Sequence, residues 1–249
     1  MPRPRLVLAL GLVASSIAPL WALSPAAAGP PFAVDDPKTV ESGKGTLLFR
    51  YNLVRDQDQN TDSLPEVMLN LGLPAKLELA IDCAFLRPES SAGPDAGMSD
   101  LNVGLKWRFL EQDGAIPAIA LDYTLSLPTG GPGLSADTVV HSPYLTLGWD
   151  LDDHWQVFGD IGANVSSSGP ERPQFFAGLA IGYQATKSWL IGADFLGNTR
   201  VSNTRRSDLS IGLATQLDLS DSWTLMARVG RSISGTQALN AFVGIQLNF

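Results

Sequence analysis

The sequence predicts an all-β fold: a transmembrane antiparallel up-and-down β-barrel of about twelve strands with an irregular N-terminal arm. Three observations carry this expectation. The chain closes on Leu239–Phe249, where Leu239, Ala241, Val243, Ile245, Leu247 and Phe249 take every odd position, and Asn240, Gly244, Gln246 and Asn248 take all the even ones but Phe242. A period of two marks a strand with two unlike faces, and about 11 residues is what a tilted strand needs to cross a bilayer. Segments of the same kind recur from residue 45 onward. The hydrophobic fraction is an ordinary 45%. Past the first 28 residues, no stretch reaches the roughly 18 uncharged apolar residues of a membrane helix. A barrel combines a membrane setting with ordinary hydropathy because only half of each strand faces lipid.

Residues 1–28 read as a secretory signal peptide. Arg3 and Arg5 precede the apolar run Leu6–Val13, a weaker apolar stretch continues to Leu23, and Ala26-Ala27-Ala28 offers a small-residue cleavage site. Position 29 is Gly rather than Cys, so no lipoprotein signal is present there. Residues 29–44 are Pro-rich, charged and aperiodic. They are expected to form an extended arm, either plugging the lumen or hanging in the periplasm to meet a partner.

The barrel is expected over 45–249, with strands near 45–56, 63–73, 76–86, 99–110, 115–127, 139–149, 155–165, 173–183, 188–198, 207–217, 223–232 and 237–249. Connections at 73–76, 111–114, 150–154, 184–187 and 218–222 are short, whereas 87–98, 128–138, 166–172 and 199–206 are longer. Short periplasmic turns and longer external loops are the rule for such barrels, and this alternation puts both chain ends on the periplasmic side. The connections at 57–62 and 233–236 are short for external loops. A soluble sandwich also alternates, but Trp107, Trp149, Trp155, Trp189 and Trp223 all take odd positions at strand ends beside the short turns. With Phe249 they are expected to form an aromatic girdle at one membrane interface, where an apolar ring with one polar N–H is favoured. The terminal Phe resembles the C-terminal signal of bacterial outer-membrane barrels. It implies outer-membrane lipid around the barrel and assembly machinery that reads the last strand.

Other classes recede. Removing residues 1–28 takes away two arginines and no acids, so the formal charge of −8 becomes −10. Such an acidic chain is a poor partner for nucleic acid. Cys83 is the one cysteine, so no intramolecular disulfide forms, and at a mid-strand odd position it is expected to act as a small apolar residue.

Even positions carry the charges. Arg50, Asp82, Asp122, Asp160, Asp194 and Arg228 fall near the middle of the six outward-running strands, with Lys106 nearer the periplasmic end of the fourth strand. These lumen-facing charges either set an acidic wall against a basic one, giving a narrow aqueous path with cation preference, or pair across a filled and closed lumen. His141 precedes Ser142, but strand neighbours point to opposite faces, and His154 is expected to be a polar turn residue, so no catalytic site is expected. The segment Asp56–Asp62 opens like a calcium loop, yet Thr61 stands where the motif needs Gly and Val67 where it needs an acid. No metal or cofactor is expected. The Gly- and Pro-rich stretch Leu127–Gly133 needs only a turn role.

Several stretches together resemble the family of outer-membrane proteins named for the MetA pathway of phenol degradation, often called transporter-like. They are Gly29-Pro-Pro-Phe-Ala-Val-Asp-Asp-Pro37, Leu77-Glu-Leu79, Gly97-Met-Ser-Asp-Leu101 leading to Gly104-Leu-Lys-Trp107, and Leu127-Pro-Thr-Gly130. The resemblance implies an outer-membrane barrel with a solute-transport role and supplies no catalytic residues. The expected function is therefore passive passage of small solutes, organic or aromatic ones among them, through a monomeric outer-membrane barrel. The alternatives are a closed structural or surface-interaction barrel and a lipid-modifying barrel enzyme.

Overall fold

A computed structural model describes residues 31–56, 60–89, 95–169, 172–200, 207–235 and 237–249. The proposed signal peptide, residues 29–30 of the arm and residues 57–59 of the calcium-like loop lie outside the described residues.

The chain forms β1 (Gly45–Asp56), β2 (Asn60–Leu73), β3 (Leu77–Glu89), β4 (Gly97–Met98), β5 (Leu101–Leu110), β6 (Ala118–Leu127), β7 (Val140–Asp150), β8 (Trp155–Ser166), β9 (Gln174–Thr186), β10 (Trp189–Asn198), β11 (Asp208–Asp218), β12 (Trp223–Ser234) and β13 (Gln237–Asn248). Twelve long strands pair antiparallel with their sequence neighbours. β1 pairs with β13 from Thr46↔Asn248 to Asp56↔Gln237 and closes the wall. Closure leaves no sheet edge, the condition for a sheet to sit in lipid. Among the described residues no helix is long and apolar enough to cross a membrane.

One element has no sequence signature. β5 pairs with β3 only over Leu77–Asp82, and the two-residue β4 takes up Phe85 and Leu86 beyond it. Backbone groups freed by the departing strand need new partners, but two residues show no period. In β2 the ladder shifts register on both sides around Pro65, where a residue without an N–H is tolerated.

The face assignment follows parity. Odd-numbered Phe49, Leu105, Ile161, Leu213 and Val243 are exposed on the outer wall, while even-numbered Glu78, Asp82, Lys106, Asp122, Asp160, Asp194 and Arg228 are buried inside. β7 keeps the same register despite Pro143 and Tyr144, and buries Tyr144 in the lumen. Cys83 is a half-buried free thiol on an odd position, opposite Val67 of β2. A membrane-impermeant maleimide is therefore expected to label Cys83 after unfolding and to leave it untouched in a lipid-embedded barrel. Labelling in the bilayer would overturn its lipid-facing placement.

Candidate functional site

The N-terminal arm lies inside the barrel. From the short-turn rim, where Gly43 N–H donates to Gly72 O at 3.0 Å, the chain climbs the inner wall. Val40 N–H donates to Glu78 Oε2 at 2.7 Å. Lys38 Nζ reaches Asp150 Oδ1 at 3.2 Å and Gln156 Oε1 at 3.1 Å. Higher up, Asp35 is fully buried. Its carboxylate meets Lys106 Nζ at 2.7 Å and accepts from Tyr144 Oη at 3.0 Å. Its N–H donates to Asp160 Oδ2 at 2.9 Å, and Ala33 N–H donates to Asp194 Oδ2 at 3.2 Å. Five arm groups are thus met by carboxylates or the Lys106 ammonium of the wall, and the contacts away from the exposed Lys38–Asp150 pair are worth about 1.5–3 kcal/mol each when one partner is charged.

The apolar residues of the arm have a matching seat. Phe32 and Val34 pack with Phe158, Ala180, Leu190 and Ala214, and the rings of Phe32 and Phe158 meet edge-on at 5.2 Å. The seat depends on missing side chains. A Cβ at Gly178 would stand 2.6 Å from Val34 Cγ2, and one at Gly192 would stand 2.7 Å from the ring of Phe32. Burying a Phe or Val side chain contributes roughly 1.5–3 kcal/mol.

The lumenal charges are paired rather than divided into opposite walls. Arg228 lies across Gly212, where a Cβ would come within 2.5 Å of its guanidinium. It holds Asp194 two strands away through Nε–Oδ2 at 2.8 Å and Nη2–Oδ1 at 2.6 Å. Arg50 pairs with Glu66 directly opposite on β2 and sits over the Phe242 ring at 4.9 Å. Asp82 accepts from Asn102 Nδ2 at 2.9 Å. Lys106 lies 3.8 Å from Asp122 as well as bonding Asp35, so it is the hub of the acidic side. Arg50 thus meets Glu66 on the neighbouring strand, Arg228 meets Asp194 two strands away, and Lys106 meets Asp35 of the arm.

Parity had no means of showing Glu66, Glu78 and Tyr144 as partners, since it assigns a face and not a contact. The Pro-rich arm has no period from which its docking could be read. The one available signal was the row of even-position glycines, Gly148, Gly178, Gly182 and Gly192, which leaves a smooth inner strip.

At the short-turn rim, Trp107, Trp155, Trp189, Trp223 and Phe249 are exposed on the outer surface, and Trp149 donates Nε1–H to Ala115 O at 3.0 Å. Phe249 exchanges backbone bonds with Gly45 at 2.8 and 3.0 Å. Its ring crowds the place where a Gly45 Cβ would be, so the terminal residue belongs to the closing seam. In the turn above, Asp152 caps the N–H groups of His154 and Trp155 at 2.7 and 2.8 Å, and these two donors hold its carboxyl below the usual range. His154 is a turn residue bonded to Gln184 O. His141 and Ser142 point apart: Ser142 donates inward to Asn164 Oδ1 at 2.8 Å, while His141 lies on the outer wall between Tyr123 Oη at 2.6 Å and Ser167 Oγ at 2.9 Å. Among the described residues no His, Cys, Asp and Glu group is arranged to hold a metal.

Solved structures of similar shape are outer-membrane barrels. The COG4313 outer-membrane channel from Pseudomonas putida F1 superposes with a TM-score of 0.66 at 14% identity, covering 86% of this chain and 98% of that one. The NanC porin gives 0.60 at 7% identity over 81% and 98%. The translocator domain of the autotransporter NalP from Neisseria meningitidis gives 0.50 at 12% identity over 82% and 87%. These likenesses are of fold. No curated protein matches in sequence. The family model described as "Putative MetA-pathway of phenol degradation" matches residues 26–249, which is nearly the whole of the chain described above, and the protein belongs to that family.

Proposed function

We propose that the protein is a passive outer-membrane channel for small organic solutes, aromatic ones among them, and that its N-terminal arm governs passage. The observation that carries this reading is the asymmetry of the lumen. The hydrogen bonds and ion pairs of the arm above residue 37 in space run to β5, β7, β8 and β10. The facing wall is self-contained, with Arg50 paired to Glu66 beside Leu48, Met68, Met226 and Phe242. Leu48, Met68 and Met226 are at most 6% exposed, so in this reading a solute passes only as the arm yields, and it then meets an apolar strip with one charged pair. Polarizable Met and an aromatic ring suit flat organic bodies better than sugars.

In this reading residues 1–28 direct export, the barrel is a monomer in the outer membrane of a Gram-negative-type envelope, and the ring of tryptophans marks the periplasmic interface. The last strand, ending at the Phe249–Gly45 seam, is what assembly machinery reads. No enzymatic step is involved. The test is single-channel conductance in planar bilayers of refolded residues 29–249 and of 45–249. A small current in the first and a larger one in the second is expected. No current in either form would indicate a closed structural barrel instead.

A further inference from the structure

The mouth opposite the arm carries a second closure, built from two sequence stretches that lie 27 residues apart from Asp100 to Leu127. The loop 128–138 joins β6 to β7 but does not stand away from the barrel. Both oxygens of Asp100, the residue before β5, receive loop N–H groups: Gly130 to Oδ1 at 2.9 Å and Ala136 to Oδ2 at 2.9 Å. Three further bonds fix the loop. Gly131 N–H reaches Met98 O at 3.0 Å, Thr129 Oγ1 accepts from Leu101 N–H at 3.0 Å, and Leu134 N–H closes a turn on Gly131 O at 2.9 Å.

The consequence is at the tip. Leu134 is only 3% exposed and packs against Ala84 and Leu86, both on the inner face of β3. The loop therefore crosses above β5 and lays one apolar side chain on the inner face of β3, beside Gly97 of β4. Thr129, Pro132, Gly133 and Ala136 stay on its exposed side, while Leu134 and Ser135 are buried. A solvated surface loop has no need to bury a leucine inside a polar lumen. Nor does it need a carboxylate, itself 8% exposed, to clamp its two ends. The Gly-Pro-Gly composition allows the tight folding; the Asp100 clamp gives it a direction.

We propose that the loop 128–138 determines the selectivity of the extracellular mouth, and that Leu134 in its seat and the Asp100 clamp are the positioning residues that hold it inward. The inward loop narrows the mouth with its exposed Pro132 and Gly133, so it admits slender or flat apolar solutes and rejects bulky hydrated ones. This inference rests on the channel reading, and its test separates the two.

Polymer exclusion measures each mouth separately: polyethylene glycols of graded mass are added to one side of a planar bilayer holding the full mature chain, and the largest polymer that still enters and lowers the current is recorded. Leu134→Ala and, independently, Asp100→Asn are expected to shift the cut-off to larger polymers on the loop side and to leave the arm side unchanged. A loop-side cut-off equal to that of the parent overturns the inference, while a parent chain without current overturns the channel reading itself. A placement test needs no current. With Cys83 replaced by Ser, the pair Leu134→Cys and Leu86→Cys is expected to form a disulfide in lipid-embedded protein whose barrel still migrates as folded before boiling. A folded barrel that leaves both thiols free removes Leu134 from the inner wall and overturns the proposal.

Discussion

Asp194→Ala is expected to lower the stability of the barrel by about 3–5 kcal/mol, the range for removing one partner of a buried ion pair. Asp194 is 0% exposed and Arg228 5%. The carboxylate takes two guanidinium N–H groups and also the Ala33 N–H of the arm. Without it, Arg228 keeps Asn240 Oδ1 at 2.9 Å but holds its charge under no counterion. The larger part of the loss is the stranded cation rather than the missing attraction, and that gives the result a signature. Asp194→Ala combined with Arg228→Met should recover most of the loss, because replacing both members of a buried pair by apolar groups is often close to neutral. Urea unfolding in lipid vesicles, followed by tryptophan fluorescence, gives the three values. A loss below about 1 kcal/mol for Asp194→Ala, the range of an exposed pair, would contradict a dry and structural contact.

The same pair shows what the sequence makes legible and what it leaves out. Period-two alternation assigns every stave, its outward face and its direction, because lipid on one side and a polar lumen on the other impose the period directly. Strand ends drift by a few residues where polar stretches still find ladder partners, as at Asn60–Asp62 in β2 and Arg87–Glu89 in β3, which pair with each other. The lumen is another matter. Asp194 and Arg228 are both visible as inward charges, but their contact depends on Gly212 standing between them with no side chain to block it. Asp35 reads as a charge in an aperiodic arm, and its seat at Lys106, Tyr144 and Asp160 is set by three-dimensional closure. The loop at Leu127–Gly133 reads as a turn by composition; only the register of β5 places Asp100 beneath it. Faces are encoded locally, whereas pairings across a lumen are encoded by which strands come to lie opposite one another.

The arm itself gives the largest functional expectation, because its seat can be both locked and spoiled at one residue. Gly178 faces Val34 so closely that an added Cβ would stand 2.6 Å from Val34 Cγ2 and 2.7 Å from Asp160 Oδ1. In a Cys83→Ser background, Val34→Cys with Gly178→Cys is expected to join arm to wall under oxidation, holding conductance at the low level of the arm-in state until a reductant restores it. Gly178→Leu should act in the opposite direction. Overpacking costs typically about 1–3 kcal/mol, which corresponds to a shift of roughly 5–150-fold toward the arm-out form. The wall strand has its ladders on both sides, and the described residues of the arm form no strand, so the arm yields first. Current should then rise toward that of the chain lacking residues 29–44, with the barrel still folded by its resistance to unfolding before boiling. The two variants are informative together. If the locked and the evicted forms conduct alike, the arm is a fixed part of the wall and passage does not depend on its position.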